Sequence, residues 1–261
     1  MIINEIKARL GNDYEVMSVN KHKNNGVLLN GVGIRRKGEP SGSVIYYADD
    51  DTNAVERVLA TYKETAKRLP KITAADVTHE KILEKAFPVL INRELNADQL
   101  DGIMHEPWND LEIIYRMDFG VGSAIITKQM AAESNITLED LHDTHNREFM
   151  VLRLTDYMTA HTGIQHPDTP FHLVTNMDMC HGSGAILNPE AIEALQDALG
   201  ENFIIIPSSV HELLALPDVG DTSEILEIVK MTNATMVSEE DFLSNSVYRY
   251  NGSSNTWEVI A

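Results

Sequence analysis

The sequence predicts an α+β fold, built from small antiparallel sheets with helices packed on them, in two or three closely joined units. Short apolar runs of strand length are separated by turns rich in Asn, Gly and Pro. Amphipathic stretches with capping residues lie between those runs. The 261 residues, 43% of them hydrophobic, are enough for one large core or two modest ones.

The first unit spans residues 1–70. Apolar side chains at 2, 3, 6 and 10 have the spacing of a short amphipathic helix, which Gly11-Asn12 can end. Residues 14–19 alternate as a strand, and Asn24-Asn25-Gly26 supplies a hairpin turn tolerant of positive φ. Extended chain follows at 27–29 and 32–36, then a second turn at 37–42 and a strand at 44–47. A helix over about 52–68 closes the unit, with Asp49, Asp50, Asp51 and Thr52 as capping groups.

The second unit covers residues 71–160. A helix is expected at 78–87, interrupted by Pro88, with extended chain at 89–91 and a short helix at 96–104. A strand at 111–117 turns at Gly120 into a hairpin partner at 123–127. Thr137 is a candidate N-cap with Asp140 at the third helical position, for a helix running through His145 towards Thr159.

The third unit covers residues 161–261. After a connection rich in Pro and His at 165–170, strands are expected at 171–176 and 184–187. Asn188-Pro189-Glu190 places an N-cap, a proline at the first helical position and an acid in the first turn, and Gly200 ends that helix. Unbroken apolar character marks 203–206 and 210–216 as buried strands. A helix at 224–230, a short one capped at Ser238 and a hairpin around Asn251-Gly252 complete the chain. GSAIIT at 122–127 and GSGAIL at 182–187 occupy parallel places after a strand and turn. An internal duplication would produce that echo, and so would chance over so few positions.

Charge is the strongest compositional signal, with a formal net charge of -19. It is lopsided: residues 1–85 carry 14 Lys+Arg against 12 Asp+Glu, whereas residues 86–261 carry 7 against 28. Such a surface repels phosphate backbones, so direct nucleic-acid binding is not expected, and a partner with a basic surface is. The acids are dispersed and form no long run. A single cysteine, Cys180, excludes a disulfide framework and a four-cysteine zinc site. No secretory leader and no apolar stretch of about 20 residues is visible, which makes the cytoplasm the expected address.

The one compact polar cluster within core-like sequence is Ser208, Ser209, His211 and Glu212. These are the residue types of acyl transfer, with Arg116 as an anion holder. The spacing argues for a bend instead. In extended chain Ser209 and His211 share a face while Ser208 and Glu212 lie on the other, and a nucleophile usually meets its base across the fold. Among ten histidines, His142, His145, His161, His166, His172 and His181 lie near acids, but no H-E-x-x-H occurs. Cys180 and His181 are adjacent, which makes joint chelation awkward. No metal is therefore expected. Phosphate-binding glycine loops are missing as well, and no cofactor is expected.

Several stretches together resemble one family: LINRE at 90–94, DLEIIYR at 110–116, VTN at 174–176, GAIL at 184–187, IPSSVHE at 206–212, LPD at 216–218 and SVYRY at 246–250. This is a bacterial family of acidic cytosolic proteins described only as a domain of unknown function, with some members tied to phages and conjugative elements. The resemblance implies no mechanism, cofactor or catalytic residue. It favours an acidic member that acts on a host or defence protein. The expected function is a non-enzymatic acidic interaction protein, an inhibitor of a nucleic-acid-binding or defence protein in its concrete form. The alternative is a small hydrolase using Ser209, His211 and Glu212. Candidate binding residues are Arg116, Asn176, Ser208, Ser209, His211 and Glu212.

Overall fold

The computed structural model describes residues 2–38, 44–46, 53–66, 72–120 and 122–260. Helix α1 (Ile2–Leu10) is followed by strands β1 (Tyr14–His22) and β2 (Leu28–Arg36), paired antiparallel without a break from Tyr14↔Arg36 to His22↔Leu28. Strand β3 (Val44–Tyr46) joins β2 on its other edge. Helix α2 (Ala54–Thr65) packs Val58, Leu59 and Tyr62 against Val32, Ile34 and the fully buried Ile6. This small unit thus has its own core. The expected caps at 49–52 and part of the 37–42 turn fall outside the described residues.

The next sheet is organised around one strand. Helix α3 (His79–Lys85), capped by the Thr78 hydroxyl accepting from Lys81 N–H, runs directly into strand β4 (Ala86–Asn92). Helix α4 (Ala97–Leu100) and strand β5 (His105–Trp108) precede β6 (Leu111–Asp118), and β7 (Ser123–Ile125) folds back on it. β6 pairs with β4 on one side and with β5 and β7 on the other. The helix expected through residue 87 stops at Lys85, and Pro88 sits inside β4. As an edge strand, β4 tolerates the missing N–H.

Helices α5 (Lys128–Ser134) and α6 (Leu138–His142) follow, α6 with the foreseen capping box between Thr137 and Asp140. The helix expected to continue towards Thr159 instead ends at His142. There Thr144 turns its hydroxyl back onto the Leu141 carbonyl, and Asn146 donates to the carbonyls of Leu83 and Ala86. Side chains that compete for backbone groups in this way terminate helices. Strand β8 (Phe149–Arg153) and helix α7 (Leu154–Thr162) occupy the remainder of that stretch.

A six-stranded antiparallel sheet forms the other half of the body. It comprises β8, β9 (His172–Asn176), β10 (Phe203–Ile206), β11 (Leu213–Pro217), β12 (Val247–Asn251) and β13 (Thr256–Ile260), in the order β13-β12-β10-β11-β9-β8. Helix α8 (Pro189–Leu199), capped by Asn188, places Leu195 in the core on one face of this sheet. Helix α9 (Ser223–Thr235) packs Val229 with Ile204, Leu216 and Val247, in a separate apolar cluster. β8 comes from the stretch expected to close the second unit, yet it is an edge strand of this sheet.

The two sheets of the body share one core. Leu90, Leu111, Ile113, Tyr115 and Met117 pack in the same cluster as Val174, Phe203, Ile205, Leu213 and Tyr248. Each such side chain taken fully from water contributes about 1.5–3 kcal/mol. Trp108 stands 5.1 Å from the Tyr248 ring and 5.4 Å from that of Trp257. Asp110 accepts hydrogen bonds from Ser244, Ser246 and Tyr248 at 2.7–2.9 Å and pins the sheets together.

Two expected elements take other forms. Residues 184–187 are not a strand but part of a 3-10 turn, Ser183–Leu187, while GSAIIT at 122–127 includes β7, so the two echoing stretches differ in conformation. Ser238 starts a turn closed by Asp241 and Phe242 N–H groups on its carbonyl, and no helix forms there.

Candidate functional site

The C-terminal end of β9 and the bend before β11 meet at the middle of the body, and most of the expected site residues lie there. Buried Thr175 donates its hydroxyl to the His211 carbonyl at 2.7 Å, and the Gly182 N–H donates to the same oxygen at 3.0 Å. Only glycine fits at 182: a Cβ there would stand 2.2 Å from Thr175 Oγ1 and 2.5 Å from the His211 oxygen. Next in line, Ser183 exchanges hydrogen bonds with both backbone groups of Leu90, closing the free edge of β4. Gly184 then presses on the Pro88 carbonyl, 2.0 Å from where a Cβ would be.

Ser208, Ser209 and Glu212 form a closed bend. Both hydroxyls donate to Glu212 Oε1, at 3.2 and 2.8 Å, and Ser209 Oγ accepts from the His211 N–H at 3.0 Å. The ring of His211 faces elsewhere. Its Nδ1 accepts from the His181 N–H at 3.1 Å, and its Nε2 lies 3.1 Å from Asp241 Oδ1. Asn176 is 4% exposed, and its amide accepts from Cys180 N–H and donates to the Cys180 carbonyl. Of the expected residues, Asn176, Ser208, Ser209 and Glu212 are thus held in bends of the chain, and His211 ties two loops together.

A second set of groups, only partly expected, gathers around the loop that Asn176 clamps. Cys180 is exposed, and its Sγ lies 3.2 Å from His181 Nδ1. His181 takes the left-handed conformation, φ 53°, and its ring stands 5.5 Å from that of His211. Arg147, with a side chain 13% exposed, donates to the Cys180 carbonyl at 2.8 Å and to Asp118 at 2.9 Å, its guanidinium 3.9 Å above the Phe87 ring. Arg116 extends from β6 and donates to the hydroxyl and carbonyl of Ser123 at 2.8 and 3.1 Å.

These groups feel one another. Burial, and then the positive charges of Arg116, Arg147 and Lys23, hold the His181 imidazole down at about 3, so it is neutral. Burial also pulls the Arg116 guanidinium down to about 10, with Arg147 opposing its charge and Cys180 favouring it. On the far side of His181 a narrow cleft runs between Phe87, Arg147, Asn176 and Gly184. It leaves about 20 Å3 for the centre of a water molecule, room for one or two waters. Among the described residues, no group of three or more His, Cys, Asp or Glu is placed to hold a metal ion.

Sequence reasoning missed Arg147 and Lys23. The signal was available for Arg147: residues 86–261 contain only seven Lys and Arg, so each is informative. For Lys23, over 150 residues from His181 in the chain, no local signal exists.

Among the described residues no helix is long and apolar enough to cross a membrane. Comparison with curated proteins finds no match, nor does comparison with solved structures. One family model does match, over residues 1–252, which is nearly the whole chain: the protein belongs to the family of unknown function DUF5688.

Proposed function

We propose that the chain is a non-enzymatic binding protein whose acidic C-terminal two-thirds meets a basic protein surface, with α8 as the contact. The observation that carries this is the outer face of α8. Glu190, Glu193 and Asp197 are all exposed, at helical spacing that puts them in one row. None forms an ion pair among the described residues, and the helix contains no Lys or Arg. Elsewhere many carboxylates are engaged: Glu112 with Arg93 and His105, Asp118 with Arg147, Asp241 with His211, Asp110 with two serines and a tyrosine. The row advances by about 4.5 and 6 Å along the axis. Repeated negative charge at that scale suits a groove lined by Lys and Arg, so inhibition of a nucleic-acid-binding or defence protein is the concrete form of this reading.

The serine-hydrolase alternative draws no support from the geometry. Ser209 Oγ is bonded to Glu212 and to a backbone N–H, while both ring nitrogens of His211 point to other partners. The test is capture of partners by immobilised protein at low and at high salt, comparing the wild type with a Glu190→Gln, Glu193→Gln, Asp197→Asn variant. A partner held by the wild type at low salt, and released by salt and by the triple substitution, supports the proposal. A partner indifferent to both removes it.

A further inference from the structure

We propose that Arg116, with Arg147 and His181 near it, forms a binding site for a small oxyanion, a phosphate or a carboxylate, beside the Cys180 thiol. This chain has 40 Asp and Glu for 21 Lys and Arg, so a basic side chain need not lack an acidic neighbour. Five of the seven bases in residues 86–261 do have one: Arg93 with Glu112, Arg147 with Asp118, Arg153 with Asp168, Lys230 with Glu227, and Arg249 with Asp218. Lys128 is exposed and needs none. Arg116 is the remaining base. It is not exposed, yet among the described residues no carboxylate comes within ion-pair distance of it.

Removing a guanidinium from water is costly unless an opposite charge or a full set of acceptors replaces the solvent. Ser123 supplies two neutral acceptors, to Nε and Nη2, and Nη1 has no partner among the described residues. The fork of a guanidinium matches the paired oxygens of a phosphate or carboxylate. The surroundings reinforce that sign of charge. Phe87, paired across the strands with Arg116, carries the Arg147 guanidinium 3.9 Å from its ring, and Arg147 in turn donates to the Cys180 carbonyl, so two cations stand together beside the thiol in a strongly negative molecule. Asp118 neutralises Arg147, which leaves Arg116 as the principal attractor. The loop that forms the rim is rigid: Asn176 brackets Cys180 on both sides, and Arg147 holds its carbonyl.

Cys180 makes the site readable. It is the only cysteine, it is exposed, and its carbonyl is held by Arg147. Alkylation of the full-length chain therefore reports from this spot alone. The experiment compares iodoacetate, an anionic reagent, with iodoacetamide, a neutral one, at equal ionic strength. Each reaction forms an S–C bond, expels iodide and releases the thiol proton to solvent. Relative to free cysteine, the wild type should favour iodoacetate about tenfold, as expected for a reagent steered by local positive charge. Inorganic phosphate or acetate should slow the iodoacetate reaction more than chloride does at the same ionic strength. The relative strength of the two shows which oxyanion the site prefers. Arg116→Met should return the reagent ratio to that of free cysteine and abolish the protection. A wild-type ratio equal to that of free cysteine, or protection no better than chloride gives, overturns the proposal without recourse to the variant.

Discussion

The backbone N–H of His181 donates to Nδ1 of His211 across 3.1 Å, and this bond sets the tautomer of the His211 ring. A ring nitrogen that accepts a hydrogen bond carries no hydrogen, so the His211 proton is on Nε2, directed at Asp241 Oδ1. Nitrogen NMR of the imidazoles should show an unprotonated Nδ1 and a protonated Nε2 for His211. His211→Ala leaves the part-buried His181 N–H without its acceptor and should cost about 1 kcal/mol, visible as a lower thermal midpoint. A variant as stable as the wild type would remove this bond from any account of the loop.

Gly182 and Gly184 mark where two parts of the chain touch through their backbones. A Cβ at 182 meets the Thr175 hydroxyl and two backbone atoms within 2.7 Å, and one at 184 meets the Pro88 carbonyl at 2.0 Å. Gly182→Ala and Gly184→Ala should each destabilise by about 3 kcal/mol or more, since backbone must move to make room. Gly122→Ala, with nothing within 4 Å of its added carbon, should be tolerated. Denaturant midpoints of the three variants decide the point.

What the sequence disclosed follows from how local the governing physics is. The Thr137 and Asp140 capping box and the Asn188-Pro189 helix start could be read because a cap is made by residues three or fewer positions apart. β6 was visible as an apolar run. β5 was not: His105, Glu106, Pro107 and Trp108 have no strand pattern, and the segment is extended because β6 pairs with it. The apolar 184–187 segment could be a strand or a buried turn by composition alone, and contacts with Pro88 and Leu90, over 90 residues away, select the turn. At the site, Arg116 could be singled out as a residue. Its lack of an acidic neighbour is a property of the folded chain.

The His181 imidazole makes stability depend on pH in a defined direction. Burial and its positive neighbours hold the folded ring at about 3, against an ordinary 6.5. Above 6.5 both folded and unfolded chains carry a neutral ring and the full stability is present. As the pH falls below 6.5 the unfolded chain binds a proton that the folded chain refuses, and stability drops by ~1.4 kcal/mol per unit until about 3. The loss should reach about 2 kcal/mol near pH 5. Urea midpoints of the wild type and His181→Gln at neutral pH and near pH 5 test this. The variant should have the shallower acid limb, and parallel limbs would mean that other groups govern the acid transition.

Asn25, at the tip of the β1–β2 hairpin, joins the N-terminal unit to the loop that carries Asp241. Its amide donates to the carbonyls of Glu239 and Phe242 at 2.8 and 2.7 Å, and it exchanges hydrogen bonds with Asn96 through its own backbone N–H and side-chain oxygen, both at 2.8 Å. Its φ of 58° is one that Asn tolerates and Ala resists by roughly 1–2 kcal/mol. Asn25→Ala therefore loses three side-chain hydrogen bonds, worth about 1 kcal/mol each, and adds backbone strain. Asn25→Gly loses the same bonds without the strain, so the difference between the variants isolates the conformational cost. In both, amides of β1 and β2 should exchange with solvent faster while those of β10 and β12 keep their protection, because the body has its own core. The 239–242 turn should loosen with them, since Asn25 closes two of its carbonyls and Asp241 lies between those residues. Uniformly faster exchange across the hairpin and β10 alike would show instead that the two cores melt as one unit and that Asn25 is not the joint between them.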